Sequence, residues 1–132
     1  MKTVIITRKK KFASALVPYW IVSAELVEAM PSHFQTLDQV RLDFSGHPIP
    51  SLPAEELGRI GIPIANGETV RIEVPDEAQG ICAVTMDGLR SDPVPLTGSS
   101  DVYRFILTTK GGFARPPHPV LTEDHSEMSP DA

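Results

Sequence analysis

One cysteine, Cys82, stands in a chain of 132 residues. It excludes an intramolecular disulfide and any zinc site assembled from several thiolates of one chain. Aromatic residues are scarce as well, with 5 Phe, 2 Tyr and 1 Trp, so aliphatic side chains must fill most of a core. No apolar run is long enough to cross a bilayer; the longest candidate, Phe12–Val22, is broken by Pro18 and Tyr19. Positive charge is in deficit, with 12 Lys and Arg against 17 Asp and Glu. An acidic body argues against a dedicated nucleic-acid-binding domain, which needs a broad basic surface to neutralise phosphates.

Catalytic signatures are missing too. There is no G-x-S-x-G elbow, and Gly98-Ser99-Ser100-Asp101 reads as turn residues. Gly58-x-x-Gly61 and Gly111-Gly112 match neither a P-loop nor a dinucleotide fingerprint. His33, His47, His118 and His125 lack metal-ligand spacing, although His33 and His47 could meet near Asp38 or Asp43. Glu55-Glu56 and Asp76-Glu77 sit beside prolines and read as solvated turn acids. Cys82, inside the apolar Ile81–Val84, reads as a buried small hydrophobe rather than a nucleophile. We therefore expect no enzyme, no cofactor and no metal.

What the chain does contain is proline, 13 of 132 residues, which suits short strands with many corners and opposes an all-helical protein. Lys2–Thr7 is β-branched and reads as a strand. Ala15–Ser23 reads as a second, with Pro18 implying an edge or bulge. Arg8–Lys11 between them becomes the turn or the solvated end of a hairpin. Ala24–Met30 is the one helical stretch, capped by Ser23 and stopped by Pro31, unless the second strand runs through it. Leu37–Phe44 alternates as a half-buried strand, and His47–Pro63 reads as an ordered excursion whose isoleucines and leucines need burial. Asn66-Gly67 is the strongest turn signal, ahead of the clean alternation of Thr69–Val74. Strands at Ile81–Met86, Val94–Leu96 and Val102–Thr109 follow. The expected fold is all-β, an antiparallel β-sandwich of about seven short strands with at most one or two helical turns. It spans residues 1–112, and 113–132 is expected to be a disordered, acidic, proline-rich tail.

Five segments carry a resemblance: Arg8–Phe12, Pro18-Tyr19, Asn66-Gly67-Glu68, Val70–Pro75 and Asp87–Pro93. Their order resembles short bacterial β-sandwich domains akin to the PEGA-like modules, over about half of the chain. The matching features are turns, among them an N-G-E hairpin and an S-x-P corner. About forty residues between Tyr19 and Asn66 exceed what that pattern implies, which leaves the strand order open. The resemblance implies a non-enzymatic decoration or binding domain and transfers no catalytic residue.

Charge is unevenly placed. Lys2, Arg8, Lys9, Lys10 and Lys11 crowd the first eleven residues without an acid, whereas Glu123, Asp124, Glu127 and Asp131 outnumber Arg115 in the last twenty. The cluster Arg8–Lys11 could meet an acidic partner or phosphate groups, or serve as a solubilising strand end, and the acidic tail could fold over it. Tyr19 and Trp20 point to opposite faces of a strand, so one belongs to the core and the other could anchor a partner. Arg8, Lys9, Lys10, Lys11 and Tyr19 are thus the candidate interaction surface. The leading functional reading is a cytoplasmic protein-interaction module, with self-association through an edge strand open beside it. One alternative is a small-molecule-binding domain with the 45–64 loop as lid, which predicts a concave apolar pocket beside that loop. A weaker one is nucleic-acid or anionic-membrane contact through Arg8–Lys11. The basic stretch before Phe12–Val22 loosely imitates a signal peptide, but Val22-Ser23-Ala24 is a poor cleavage site.

Overall fold

In a computed structural model, residues 1–11, 18–30, 33–34, 54–85, 88–98, 100–111 and 118–124 are described. Leu37–Phe44, His47, Arg115, His125 and the last residues of the acidic tail lie outside that set, so the expectations that fall on them are left as stated.

The β-branched runs form strands as their side chains dictate: β1 (Lys2–Arg8), β2 (Tyr19–Ser23), β3 (Ile62–Ile64), β4 (Thr69–Val74), β5 (Gly80–Thr85), β6 (Val94–Pro95), β7 (Val102–Lys110) and β8 (His118–Glu123). Two short helices complete the set, α1 (Ala24–Ala29) and α2 (Ala54–Ile60). The Ser23 side chain accepts from the Leu26 backbone N–H at 3.1 Å, so the sequence-predicted cap starts α1. The strand reading of that segment is thereby settled in favour of a helix.

The strands form two four-stranded sheets, ordered β4-β1-β7-β8 and β3-β2-β5-β6. One core joins them. Val4, Ile6, Ile72, Phe105, Leu107 and Leu121 of the first sheet cluster with Tyr19, Ile21, Ile64, Ile81, Ala83 and Val94 of the second. The outer face of the second sheet is apolar as well. Trp20 and Val22 of β2 and Cys82 and Val84 of β5 pack with Val27 of α1, Leu57 of α2 and Phe34. That double coverage explains why β5 is buried along its whole length.

Four expectations are corrected. β1 and β2 are not a hairpin: β1 pairs with β4 and β7, and β2 with β3 and β5. The first sheet is mixed rather than antiparallel, because β1 and β7 run parallel, Thr3 beside Val102 and Arg8 beside Leu107. Local sequence does not report the direction of a partner nearly a hundred residues away. Asn66-Gly67 does turn, with Gly67 at φ 79°, a region that favours glycine. It joins β3 to β4, however, and so carries the chain from one sheet to the other instead of closing an N-G-E hairpin. The tail is ordered in part, since β8 pairs antiparallel with β7 from Lys110↔His118 to Phe105↔Glu123. Pro119 and the lone apolar pair Val120-Leu121 gave a weak strand signal, but the edge of β7 supplies the hydrogen bonds and the core buries Leu121.

Candidate functional site

The candidate residues divide sharply in the structure. Arg8 and Tyr19 are interior, 2% and 1% exposed. Arg8 closes the inward row Val4, Ile6, Arg8 of β1, and its guanidinium lies 4.2 Å from the centre of the Tyr19 ring. Its Nη1 donates to the Ile64 carbonyl at 2.9 Å. The Tyr19 hydroxyl and Thr109 Oγ1 share a hydrogen bond of 2.8 Å. Burial lowers the Arg8 pKa, against the effect of Tyr19. Burial also raises that of Tyr19, against the hydrogen bond from Thr109 and the nearby Arg8 charge. Arg8 and Tyr19 are therefore a structural plug between the sheets at one end of the core, and the expectation that they meet a partner is corrected. Trp20 is the other half of that expectation: it faces the opposite side of β2, and it too is buried, under the helices.

Lys9, Lys10 and Lys11 are exposed. With Lys110 they line a groove of about 630 Å³ whose floor includes Thr108 and Thr122. The backbone places them: Lys9 N–H donates to the Leu107 carbonyl at 2.9 Å, so the chain follows β7 beyond the end of β1. Lys11 N–H donates to Asn66 Oδ1 at 2.9 Å, and Lys11 Nζ to the Thr109 carbonyl at 2.8 Å. No carboxylate of the described residues pairs with these four lysines.

The groove is one end of a larger surface. Register and pleat put Arg71 of β4, Ile5 and Thr7 of β1, Arg104, Ile106 and Thr108 of β7, and Val120 and Thr122 of β8 on the outer face of the mixed sheet. Asp124, one residue past β8, stands beside Arg104, its N–H donating to the Arg104 carbonyl at 2.9 Å, and Glu73 is the only carboxylate within the described strands of this face. It accepts from Thr3 Oγ1 at 3.0 Å and lies 3.5 Å from Arg71 Nε. Neither described helix packs on this face, in contrast to the covered face of the other sheet. The sequence reasoning missed Arg71, Arg104 and Lys110. Alternation in TVRIEV and VYRFILTTK marks them as outward, but only the pairing of β4, β1 and β7 brings them together.

A second concavity, about 290 Å³, opens between the sheets where β3 and β4 diverge. Ile21, Ile60, Ile72, Val74 and Ile81 line it, and Arg59 and Glu73 stand at its rim. It adjoins the 59–62 segment, inside the loop that the small-molecule alternative makes a lid.

Cys82 is 1% exposed, and burial pushes its thiol up to about 11. No group of three metal-ligating side chains occurs among the described residues. No helix of the described residues is long and apolar enough to cross a membrane. Comparison of the chain with protein-family models, curated proteins and solved structures returns no match.

Proposed function

We propose that the two sheets stack as a β-sandwich and that the chain is a non-enzymatic protein-interaction module. Its binding surface is the outer face of the β4-β1-β7-β8 sheet, and its partner is an acidic protein segment. One observation carries this reading: the lysine groove and the arginines beside it lie on the sheet face that no described helix covers. Such a surface steers an anionic partner and holds it through contacts that salt weakens. The described strands of this face present mainly threonine, isoleucine and valine outward, with the His118 imidazole at one end and no Phe, Tyr or Trp ring, which favours a protein segment over a single-stranded nucleic acid bound by successive stacking.

The test is a titration of a labelled glutamate-rich peptide into the native chain and into a Lys9→Gln, Lys10→Gln, Lys11→Gln, Lys110→Gln variant. Duplex DNA and anionic vesicles serve as parallel probes. Saturable peptide binding that falls with salt and is lost in the variant supports the reading. Binding of duplex or vesicles without peptide binding transfers the surface to that partner, and no binding of any probe ends it.

A second reading is favoured by the apolar cleft beside residues 59–62: a small apolar ligand enters between the sheets. Quenching of Trp20 fluorescence does not report on it directly, because Trp20 faces the helices. Displacement of an apolar dye by added ligand, abolished by Ile72→Lys in a chain that stays folded, tests it.

A further inference from the structure

The edge strand β4 carries an unusual self-complementarity. Its pairing with β1 is anchored by Arg8 N–H donating to the Glu68 carbonyl at 2.9 Å. Hydrogen-bonded pairs alternate along an antiparallel ladder, so Val70, Ile72 and Val74 turn their backbone groups toward β1. Thr69, Arg71 and Glu73 then turn theirs to the open edge. No other described strand pairs with β4, and none of its residues takes part in a backbone hydrogen bond outside the ladder among the described residues. The strand is regular, six residues long, free of internal proline, and flanked by the exposed Ile62 of β3. Such an edge is a template for another strand.

A second copy of the same strand fits it in one register. Antiparallel pairing about a two-fold axis at Ile72 sets Arg71 opposite Glu73 of the second copy, and Glu73 opposite its Arg71. Both are residues whose N–H and C=O are directed to the edge, so each pair can exchange two backbone hydrogen bonds and also oppose unlike charges. On the inner side the same register sets Ile72 against Ile72 and Val70 against Val74, over the mouth of the apolar cleft. A shift by one residue to either side of the axis position sets Arg71 against Arg71 or Glu73 against Glu73, like charges directly opposed. A shift that pairs odd with even positions sends apolar side chains to the solvent face.

We propose that the chain forms an isologous homodimer through β4, joining two copies of the mixed sheet into one eight-stranded sheet. The two-fold axis is perpendicular to that sheet, so both outer cationic faces lie on the same side. The dimer does not depend on what those faces bind.

Sedimentation equilibrium and light scattering over a wide concentration range test it. The native chain is expected at twice the 14.4 kDa chain mass at high concentration. Arg71→Glu alone and Glu73→Arg alone each turn the charge quartet to one sign and weaken association by about tenfold or more. The doubly reversed chain, Arg71→Glu with Glu73→Arg, restores dimerisation, and an equimolar mixture of the two single variants forms a heterodimer. Circular dichroism on each variant establishes that it is folded, and the mixture needs no double variant to fold. A native chain that stays monomeric throughout overturns the proposal. So does a dimer unaffected by either single reversal, or single reversals that the mixture and the double variant both fail to rescue.

Discussion

Truncating Arg8 separates a structural cation from a functional one. In Arg8→Ala the Ile64 carbonyl loses the charged donor 2.9 Å away, and the Tyr19 ring loses the cation 4.2 Å from its centre. A hydrogen bond to a charged group contributes about 1.5–3 kcal/mol, and a desolvated cation–π contact about 2 kcal/mol. The aliphatic stem adds burial of its own, while release of a guanidinium from a site that is 2% exposed returns part of the total. A net loss of about 2–4 kcal/mol remains. For 132 residues, an unfolding entropy near 2.1 cal/mol/K per residue makes each kcal/mol worth about 3–4 °C. Arg8→Ala should therefore melt roughly 10 °C below the native chain. Lys9→Ala, Lys10→Ala and Lys11→Ala, at the next three positions of the same basic run, should each stay within about 0.5 kcal/mol. Thermal denaturation followed by circular dichroism, with urea titrations to supply free energies, reads both. If Arg8→Ala melts with the lysine variants, the interior role argued for Arg8 is wrong.

Two further outcomes follow from packing. The Cys82 thiol is raised from 9.0 to about 11, so its contribution to stability is complete below about pH 9 and is lost as the pH rises toward 11; the loss amounts to about 2–3 kcal/mol. Tyr19, raised by burial as well, acts in the same direction at still higher pH. Urea titrations from neutral to alkaline pH should show the decline, Cys82→Ala should remove the earlier part of it, and a native thiol that reacts with a disulfide reagent as fast as the unfolded one would contradict the burial. At Gly61 an added Cβ would lie 2.7 Å from Val22 Cγ1, 3.0 Å from the Ile21 carbonyl oxygen and 3.2 Å from Trp20 Cβ. Gly61→Ala is thus expected to cost about 1–3 kcal/mol in urea unfolding, whereas Gly58→Ala, which meets nothing within 4 Å, should be neutral or stabilising.

Much of the local structure is legible in the sequence because it depends on near neighbours. β-branched runs make β1, β4 and β7, Ser23 caps α1, Gly67 takes a positive φ, and apolar flanks bury Cys82. Each of these follows from a few adjacent side chains and the backbone they favour. Arg8 shows where local reading stops. It belongs to a run of four cations that looks uniformly solvated, yet it is the last residue of a strand and continues the inward row after Val4 and Ile6, so the pleat turns it into the core while its three successors stay exposed. Whether that inward position is occupied by an interior cation or an exposed one depends on what stands opposite, and Tyr19, Ile64 and Thr109 arrive there from three other strands. The same holds for the cationic face, for the parallel pairing of β1 with β7, and for β8. Residue order by itself determined most of the segments that extend, β8 excepted, and which sides of them are apolar; the tertiary structure alone decided which strands lie side by side, because pairing is fixed by contacts between distant segments that leave no mark on the sequence between them.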